Sequence, residues 1–263
     1  MFAPNCANAK SNRLRLEVVI PVYNEEKDLP RSIATLHDFL QENCGYDWCI
    51  VIADNASIDN TPQVSRELAA KHERVRYLRL PHKGRGRALR HAWLTSEADI
   101  VSYMDVDLST DLSCFMPMID KLAQGEAEIA IGSRYQKSAQ VQRGFKREFF
   151  SRAYMAMIKM FFGCGFSDAQ CGFKAATRDA VQTLVPLIEN QGWFFDAELL
   201  LLAEHYGFPI FEMPVIWNDD PDSRVKLAQT VSEHFIGLMR MRLAFSTGFA
   251  AAPAKTNVAE AYA

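Results

Sequence analysis

A mostly apolar run from Leu14 to Ile20 stops at Pro21, after which Leu29, Ile33, Leu36 and Leu40 recur at helical spacing. One strand followed by one amphipathic helix accounts for both patterns. The unit repeats: Trp48 to Ala53 form a second apolar run, a polar turn follows, and Thr61 stands as a helix cap with Pro62 at the first helical position. Val75 to Leu80 predicts a third strand, the loop Gly84 to Gly86 opens a helical segment that runs through Trp93, and Ile100 to Met104 predicts a fourth strand. Strand–helix alternation of this kind predicts an α/β fold with a doubly wound, largely parallel sheet, whose ligands sit outside the carboxyl ends of the strands. Chemistry is therefore expected on the loops 21–26, 54–61 and 105–111.

The second half is less regular. It predicts a helix near 111–124, a strand 128–132, a long segment 145–162 that is apolar over most of its circumference, and a strand 172–176. Helices at 178–187 and 196–206 bracket Trp193, and a short strand near Ile210 leads to Trp217. The organisation that follows is an extension over 1–12, one domain over 13–228 with halves 13–107 and 108–228, and a C-terminal helix with an Ala-rich, disordered tail over 229–263.

Composition fits that organisation and narrows the chemistry. With 263 residues, 49% apolar and 23% charged, the chain has the size and mix of one large domain. A net charge of −3 supplies no overall polycation, so no nucleic-acid partner is expected. The six cysteines form no C-x-x-C pair and no His cluster has zinc spacing, so they read as reduced thiols. No stretch reaches the ~18 apolar residues of a spanning helix and no secretory h-region opens the chain, which makes the cytoplasm the expected compartment.

Asp105 and Asp107 follow directly on the fourth apolar run, so two carboxylates two positions apart leave a strand end on one side. Hard oxygen ligands suit Mg2+ or Mn2+, which keep waters and complete their shell with substrate phosphates. Taken alone, an Asp-x-Asp pair at a strand-to-loop junction is more often a pair of solvated turn residues. Its company is more specific: Ile20-Pro21-Val22-Tyr23-Asn24-Glu25-Glu26, Asp54-Asn55-Ala56-Ser57-Ile58-Asp59-Asn60-Thr61, Lys83-Gly84-Arg85-Gly86-Arg87-Ala88, Asp105-Val106-Asp107 and Gly132-Ser133-Arg134-Tyr135 occur in this order. Together they resemble glycosyltransferase family 2, inverting enzymes with a GT-A fold, over roughly residues 14–228. Later motifs, Asp168 to Lys174, Trp193 to Leu200 and Asp222 to Lys226, resemble the dolichyl-phosphate glucosyltransferase and dolichol-phosphate mannose synthase branch.

The resemblance implies a single GT-A domain and a nucleotide-diphosphate sugar donor, with UDP-glucose favoured. It assigns Pro21, Tyr23, Glu25 and Asp54 to the nucleoside, Asp54 holding the base, and Lys83, Gly84 and Gly86 to a backbone approach to the donor. Pro21 and Glu26 equally suit a strand end and a helix start. Arg224, after Ser223, stands where the family has a lysine that closes over the diphosphate; the charge is kept and the geometry becomes a planar fork. Asp107 and Asp105 are the implied metal ligands, while Ser109 replaces the glutamine that mannose synthases add to the shell.

From Arg134 to Arg152 there are six Lys or Arg residues against one acid, Glu148. Arg147 and Ser151 are four apart, on one helix face, and the family uses such a pair for the acceptor phosphate, with Arg134 beside them. The apolar segment Phe149 to Phe162 suits either a helix lying in a membrane interface or a buried core helix. The expected reaction is inverting transfer of a hexose to a polyprenyl phosphate, peripherally at the cytoplasmic face of a membrane, with a homo-oligomer or a small anchoring protein as possible company. Asp196 is the open question: a helix cap, a sugar contact, or the base of an enzyme that glycosylates a saccharide hydroxyl. A silent nucleotide-sugar-binding protein is the alternative outside catalysis.

Overall fold

Seven strands form the central sheet in the order β3 (Val75–Leu80), β2 (Asp47–Asn55), β1 (Arg15–Val22), β4 (Ile100–Met104), β7 (Phe173–Thr177), β5 (Ile129–Ser133) and β8 (Ile210–Pro214), with a separate parallel pair of β6 (Gln140–Gln142) and β9 (Ile216–Asn218). The first half alternates as expected: β1 (Arg15–Val22), α1 (Leu29–Asn43), β2 (Asp47–Asn55), α2 (Thr61–Lys71), β3 (Val75–Leu80), α3 (Arg85–Thr95) and β4 (Ile100–Met104). After it come α4 (Phe115–Ala123), β5 (Ile129–Ser133), β6 (Gln140–Gln142), α5 (Phe145–Phe162), β7 (Phe173–Thr177) and α6 (Arg178–Leu184). The chain ends with α7 (Phe195–His205), β8 (Ile210–Pro214), β9 (Ile216–Asn218) and α8 (Leu227–Thr247). This computed structural model describes residues 13–142, 144–218 and 227–248, apart from the side chains at 146, 147 and 227–231.

Strands β1 to β4 pair in parallel, so their carboxyl ends share one edge; only β7 runs against its neighbours β4 and β5. The near-continuous burial of β1 and β2 follows from helices on both faces of the sheet. Alternate side chains feed two cores. Val18, Ile20, Ile50 and Ile52 pack with α1 and α4 on one face, while Val19, Val51 and Ala53 pack with α3, α5, α6 and α7 on the other. Leu238 and Met241 of α8 join this second core, so the C-terminal helix belongs to the same body.

Local chemistry moves several element ends. Thr61 is not the cap of α2: Asn60 holds that position, and the Thr61 Oγ1 instead accepts the Glu25 N–H at 2.8 Å. The helix expected at 111–124 opens as a short 3-10 turn at Leu112–Cys114, capped by Asp111, before α4 begins. Pro186 cannot donate to a helical ladder, and α6 gives way to a 3-10 turn at Val185–Leu187.

The N-terminus of α3 lies close against the chain ahead of α7. A Cβ at Gly86 would sit 2.8 Å from the Gly192 carbonyl and 2.8 Å from Phe195 Cβ. Overpacking of this kind costs about 1–3 kcal/mol, and at about 2–4 °C per kcal/mol for a domain of this size Gly86→Ala is expected to lower Tm by several degrees. A calorimetric scan of the variant beside the parent protein checks this.

Candidate active site

Three loops at the carboxyl edge are joined by side-chain hydrogen bonds. Asn24 donates its N–H to Ser57 Oγ at 2.9 Å and accepts Ile58 N–H on its Oδ1 at 2.9 Å, tying the loop after β1 to the loop after β2. Asn55 extends the tie: its Nδ2 donates to the Val22 carbonyl at 2.7 Å, and its Oδ1 accepts the Gly84 N–H at 3.2 Å. Asn24, Ala56 and Leu108 are the non-glycine residues with positive φ among those described, at 59°, 67° and 50°, and each follows one of the strands β1, β2 and β4. Backbone held in that region by a side chain costs about 1–2 kcal/mol per residue, and such strain gathers at ligand sites.

Of the residues assigned to the nucleoside, Pro21 is buried in register with Ala53, and Glu25 uses its backbone on Thr61 and Leu29. Tyr23 is half-buried, with Lys83 Nζ 3.7 Å from its ring centroid, so those two are brought together. Asp54 is fully buried: Oδ1 accepts Ser57 N–H at 2.8 Å and Oδ2 accepts the Tyr77 hydroxyl at 2.8 Å, with Arg79 at 3.4 Å. Burial, and then the Asp54 carboxylate, push the Tyr77 phenol up to about 12, so it stays a donor. Asp54 thus shapes the loop from below.

Asp105 and Asp107 line one small cleft with Ser109, Thr110, Gly172 and Trp217. Asp105 is 42% exposed at the strand end, and its carboxylate lies where a residue 172 with a side chain would put its Cβ, 1.7 Å from Oδ2; only glycine leaves that space. Asp107 is exposed, and its Oδ1 closes a turn by accepting Ser109 N–H at 3.0 Å. Among the described residues no group of three or more His, Cys, Asp or Glu forms a ready-made metal site. Two carboxylates beside an open cleft nevertheless fit a hard divalent cation that takes its other ligands from water and phosphate.

Behind this pair lies a buried network that the sequence reading did not single out. Arg85 donates from Nη2 to Asp105 Oδ1 at 2.9 Å and from Nη1 to Asp196 Oδ2 at 2.7 Å. Its guanidinium carbon also lies 4.8 Å from the Tyr103 ring and 5.0 Å from the Trp193 ring. Asp196 accepts a short hydrogen bond from the Tyr103 hydroxyl and pairs with Lys174 Nζ at 3.2 Å. Lys174 is fully buried and also donates to the Ala169 and Cys171 carbonyls at 3.2 and 2.6 Å. Burial alone would push the Asp196 carboxyl up, but Lys174 and Arg85 outweigh it and hold the group below the usual carboxylate range. Asp196 sits within the first turn of α7 behind Phe194 and caps nothing, which removes the helix-cap reading. The clue available in the sequence was the basic residue between two motif glycines at 84 and 86, and a lysine inside an apolar strand pattern at 174.

The residues assigned to the acceptor phosphate are partly in view. Arg134 is buried and grips Asp168 through Nε at 2.7 Å and Nη2 at 2.9 Å, while its backbone N–H donates to the same carboxylate at 3.1 Å. Its guanidinium carbon lies 5.3 Å from the Trp217 ring, beside the acidic cleft. Ser151 is buried on α5; the Arg147 side chain lies outside the described residues, as does Arg224. Helix α5 is two-sided: Tyr154, Met155 and Ile158 enter the core, as the core-helix reading expects, whereas Phe145, Phe149, Phe150 and Met160 face outward. On the neighbouring α8, Phe235, Ile236, Met239 and Leu243 are also exposed. Among the described residues no helix is long and apolar enough to cross a membrane.

Residues 17–185 match the model of glycosyl transferase family 2. Glycosyltransferase AglD of Haloferax volcanii is 32% identical over 230 residues, which is 86% of this chain and 36% of that protein's length. Dolichyl-phosphate beta-glucosyltransferase ALG5C of Trichomonas vaginalis is 30% identical over 88% of this chain and 71% of its own, and the Saccharomyces cerevisiae dolichyl-phosphate beta-glucosyltransferase is 28% identical over 89% and 75%. Among solved structures, glucosyl-3-phosphoglycerate synthase of Mycobacterium tuberculosis superposes with a TM-score of 0.63 at 19% identity, over 88% of this chain and 80% of that one. The GT-A expectation for the sheet is thereby met, and the chain belongs to glycosyl transferase family 2.

Proposed function

We propose that this protein transfers glucose from UDP-glucose to a polyprenyl phosphate with inversion, giving a β-linked lipid-phosphate sugar, peripherally at the cytoplasmic face of a membrane. The observation that carries this reading is the Asp105–Asp107 pair opening on the strand-end cleft, in a chain whose relatives over most of its length include dolichyl-phosphate beta-glucosyltransferases. The solved synthase of the same fold holds Mn2+ and UDP-glucose, which supports the same donor and a divalent cation here.

Asp105 and Asp107 would hold Mg2+ or Mn2+ together with the donor's phosphates. A cation bound there supplies positive charge to the departing diphosphate. The loops joined by Asn24 and Asn55 flank the nucleoside, with Tyr23 and Lys83 at the rim. Arg134 has N–H groups left after gripping Asp168, and with Arg147 and Ser151 these would aim the acceptor phosphate. A phosphate monoester with a second pKa of about 6 is already an anionic nucleophile near neutrality. It needs no base, and Asp196, spent on Arg85, Lys174 and Tyr103, is a poor one. This disfavours the saccharide-hydroxyl reading. The exposed apolar side chains of α5 and α8, next to the basic stretch 134–152, support seating on an anionic lipid surface.

The direct test is incubation with labelled UDP-glucose, GDP-mannose or UDP-galactose and a short polyprenyl phosphate, with and without divalent cation, followed by lipid extraction; label in the lipid phase only from UDP-glucose and only with cation is the expected result. Absence of label from every donor would leave the silent-binder reading. In the same assay Asp107→Asn is expected to lose at least about 100-fold in kcat. Arg147→Ala should raise the acceptor KM about 10–100-fold with the donor KM held, the pattern of a lost phosphate contact. Because the folded pKa of Asp196 is depressed, that carboxylate stays ionised from neutrality down through the ordinary aspartate range, near 4. The acid limb of the pH–rate profile is therefore expected near 6, where the lipid phosphate titrates; a limb that moves in Asp196→Asn would make Asp196 the base. Phe149→Asp with Ile236→Asp is expected to abolish sedimentation with vesicles containing phosphatidylglycerol while leaving UDP binding intact.

A further inference from the structure

Helix α8 and the segment ahead of α7 both lie beyond residues 17–185, the part matched by the family model. They nevertheless reach the centre of the site through an unbroken series of contacts. Arg240 on α8 donates from Nη2 to Glu198 at 2.7 Å and pairs closely with Glu189. Glu198 is only 1% exposed, and its two carboxylate oxygens accept the Glu189 and Asn190 N–H groups at 3.0 Å each. Two helical turns earlier on α8, Glu233 Oε1 accepts the Trp193 N–H at 3.1 Å.

The approach between α8 and this segment leaves no room for side chains. A Cβ at Gly237 would fall 2.4 Å from the ring of buried Phe194, and one at Gly192 would fall 2.3 Å from Glu233 Oε1. Glycine inside a helix costs about 1 kcal/mol relative to alanine, and at position 237 close packing on Phe194 gives it a reason to be there. The pinned segment in turn holds the start of α3: Gly192 and Gln191 carbonyls accept the Gly86 and Arg87 N–H groups at 3.1 and 3.0 Å. Between Gly84 and Gly86 stands Arg85, stacked near Trp193 and bonded to Asp105 and Asp196.

We infer that α8 is a positioning strap for the reaction: Glu233, Gly237 and Arg240 fix segment 189–195, and that segment fixes Arg85 and through it the carboxylate of Asp105. Arg240 and Glu233 touch no reacting atom; they are positioning residues. A carboxylate as buried as Glu198 is costly unless paired, so losing Arg240 removes its cation and loosens the two backbone donors it organises. The consequence travels to Arg85 because the Gly86 and Arg87 N–H groups lose fixed acceptors.

The strap rests on the reading of Asp105 and Asp107 as cation ligands for one of its two readouts only. The first is hydrogen exchange on the full chain, which needs neither donor nor acceptor: Arg240→Ala is expected to speed exchange in peptides covering 84–88 and 189–195 by about tenfold, with peptides in β2 and α1 unchanged. The second is Mn2+ binding in the presence of UDP, followed by the electron paramagnetic resonance of free Mn2+, with Kd expected to rise about tenfold. Arg240→Lys, which keeps the charge, should restore most of both. Gly237→Ala, which drives a methyl into Phe194, should reproduce both and serves if Arg240→Ala does not fold. Exchange at 84–88 within twofold of the parent protein in Arg240→Ala and Gly237→Ala overturns the strap. A parent protein that binds no Mn2+ sinks the cation reading instead and leaves the exchange result to decide the strap.

Discussion

Arg85 is the charge around which the site is assembled. It is buried between two carboxylates, Asp105 at the rim and Asp196 inside, with Lys174 and Tyr103 completing the partners of Asp196. Burying three formal charges, those of Arg85, Asp196 and Lys174, is costly unless each meets an opposite charge at hydrogen-bonding distance, and here the signs alternate in space out to Asp105. That requirement fixes the relative placement of four elements: α3 gives Arg85, β4 leads into Asp105, β7 gives Lys174 and α7 gives Asp196. The antiparallel insertion of β7 beside β4 brings Lys174 opposite Tyr103 in the sheet register. A sheet with a parallel strand in that place would follow a different crossover and lose the pairing.

The same network explains how a carboxylate at the rim is held in place for a cation. Asp105 already has Arg85 on one oxygen, while its other oxygen lies where a side chain at position 172 would clash. On the proposed reading, a cation arriving at the cleft shares Asp105 with Arg85, and Arg85 keeps Asp196 as a second anchor. Preorganised charge of this sort acts without reorganisation during the reaction. The strained residues Asn24, Ala56 and Leu108 each bend the chain after a strand at this edge of the sheet, and Leu108 lines the cleft itself.

What the sequence revealed and what it concealed divide along physical lines. Strands buried on both faces write long apolar runs, so β1, β2 and β4 were legible to within a residue or two, and with them the loops at their carboxyl ends. The acidic pair was legible only through its company, since two acids after such a run also serve as solvated turn residues and it is the ordered motifs around them that mark a site. Arg85 was hidden because its flanking glycines drew attention to backbone approach, and nothing local marks a side chain whose partners are 20 and 111 positions away. Asp196 misled for the opposite reason: an acid at a helix start has a good local explanation as a cap, and only the tertiary arrangement spends it on Arg85 and Lys174. Thr61 failed as a cap because the neighbouring loop claimed its hydroxyl for Glu25.

The acceptor's chemistry follows from where the carboxylates are committed. Glu198 serves the 189–190 turn, Asp168 serves Arg134, Asp196 serves Lys174 and Arg85, and Asp54 serves the loop after β2. The oxygens of each of these buried acids are thus already committed to cations, hydroxyls or N–H donors, and for Asp168 and Asp196, despite burial, the neighbouring cations hold the carboxyl below the usual range, the condition that makes a carboxylate a weak base. A saccharide hydroxyl would have to shed its proton into this surrounding, whereas a phosphate brings its own negative charge and asks only for cations. The basic stretch from Arg134 to Arg152 runs into α5, and the outward faces of α5 and α8 are apolar. On the proposed reading, an acceptor with an anionic head and an isoprenoid tail would match both halves of that surface at once, its head toward the arginines and its tail in the membrane on which the two helices would rest.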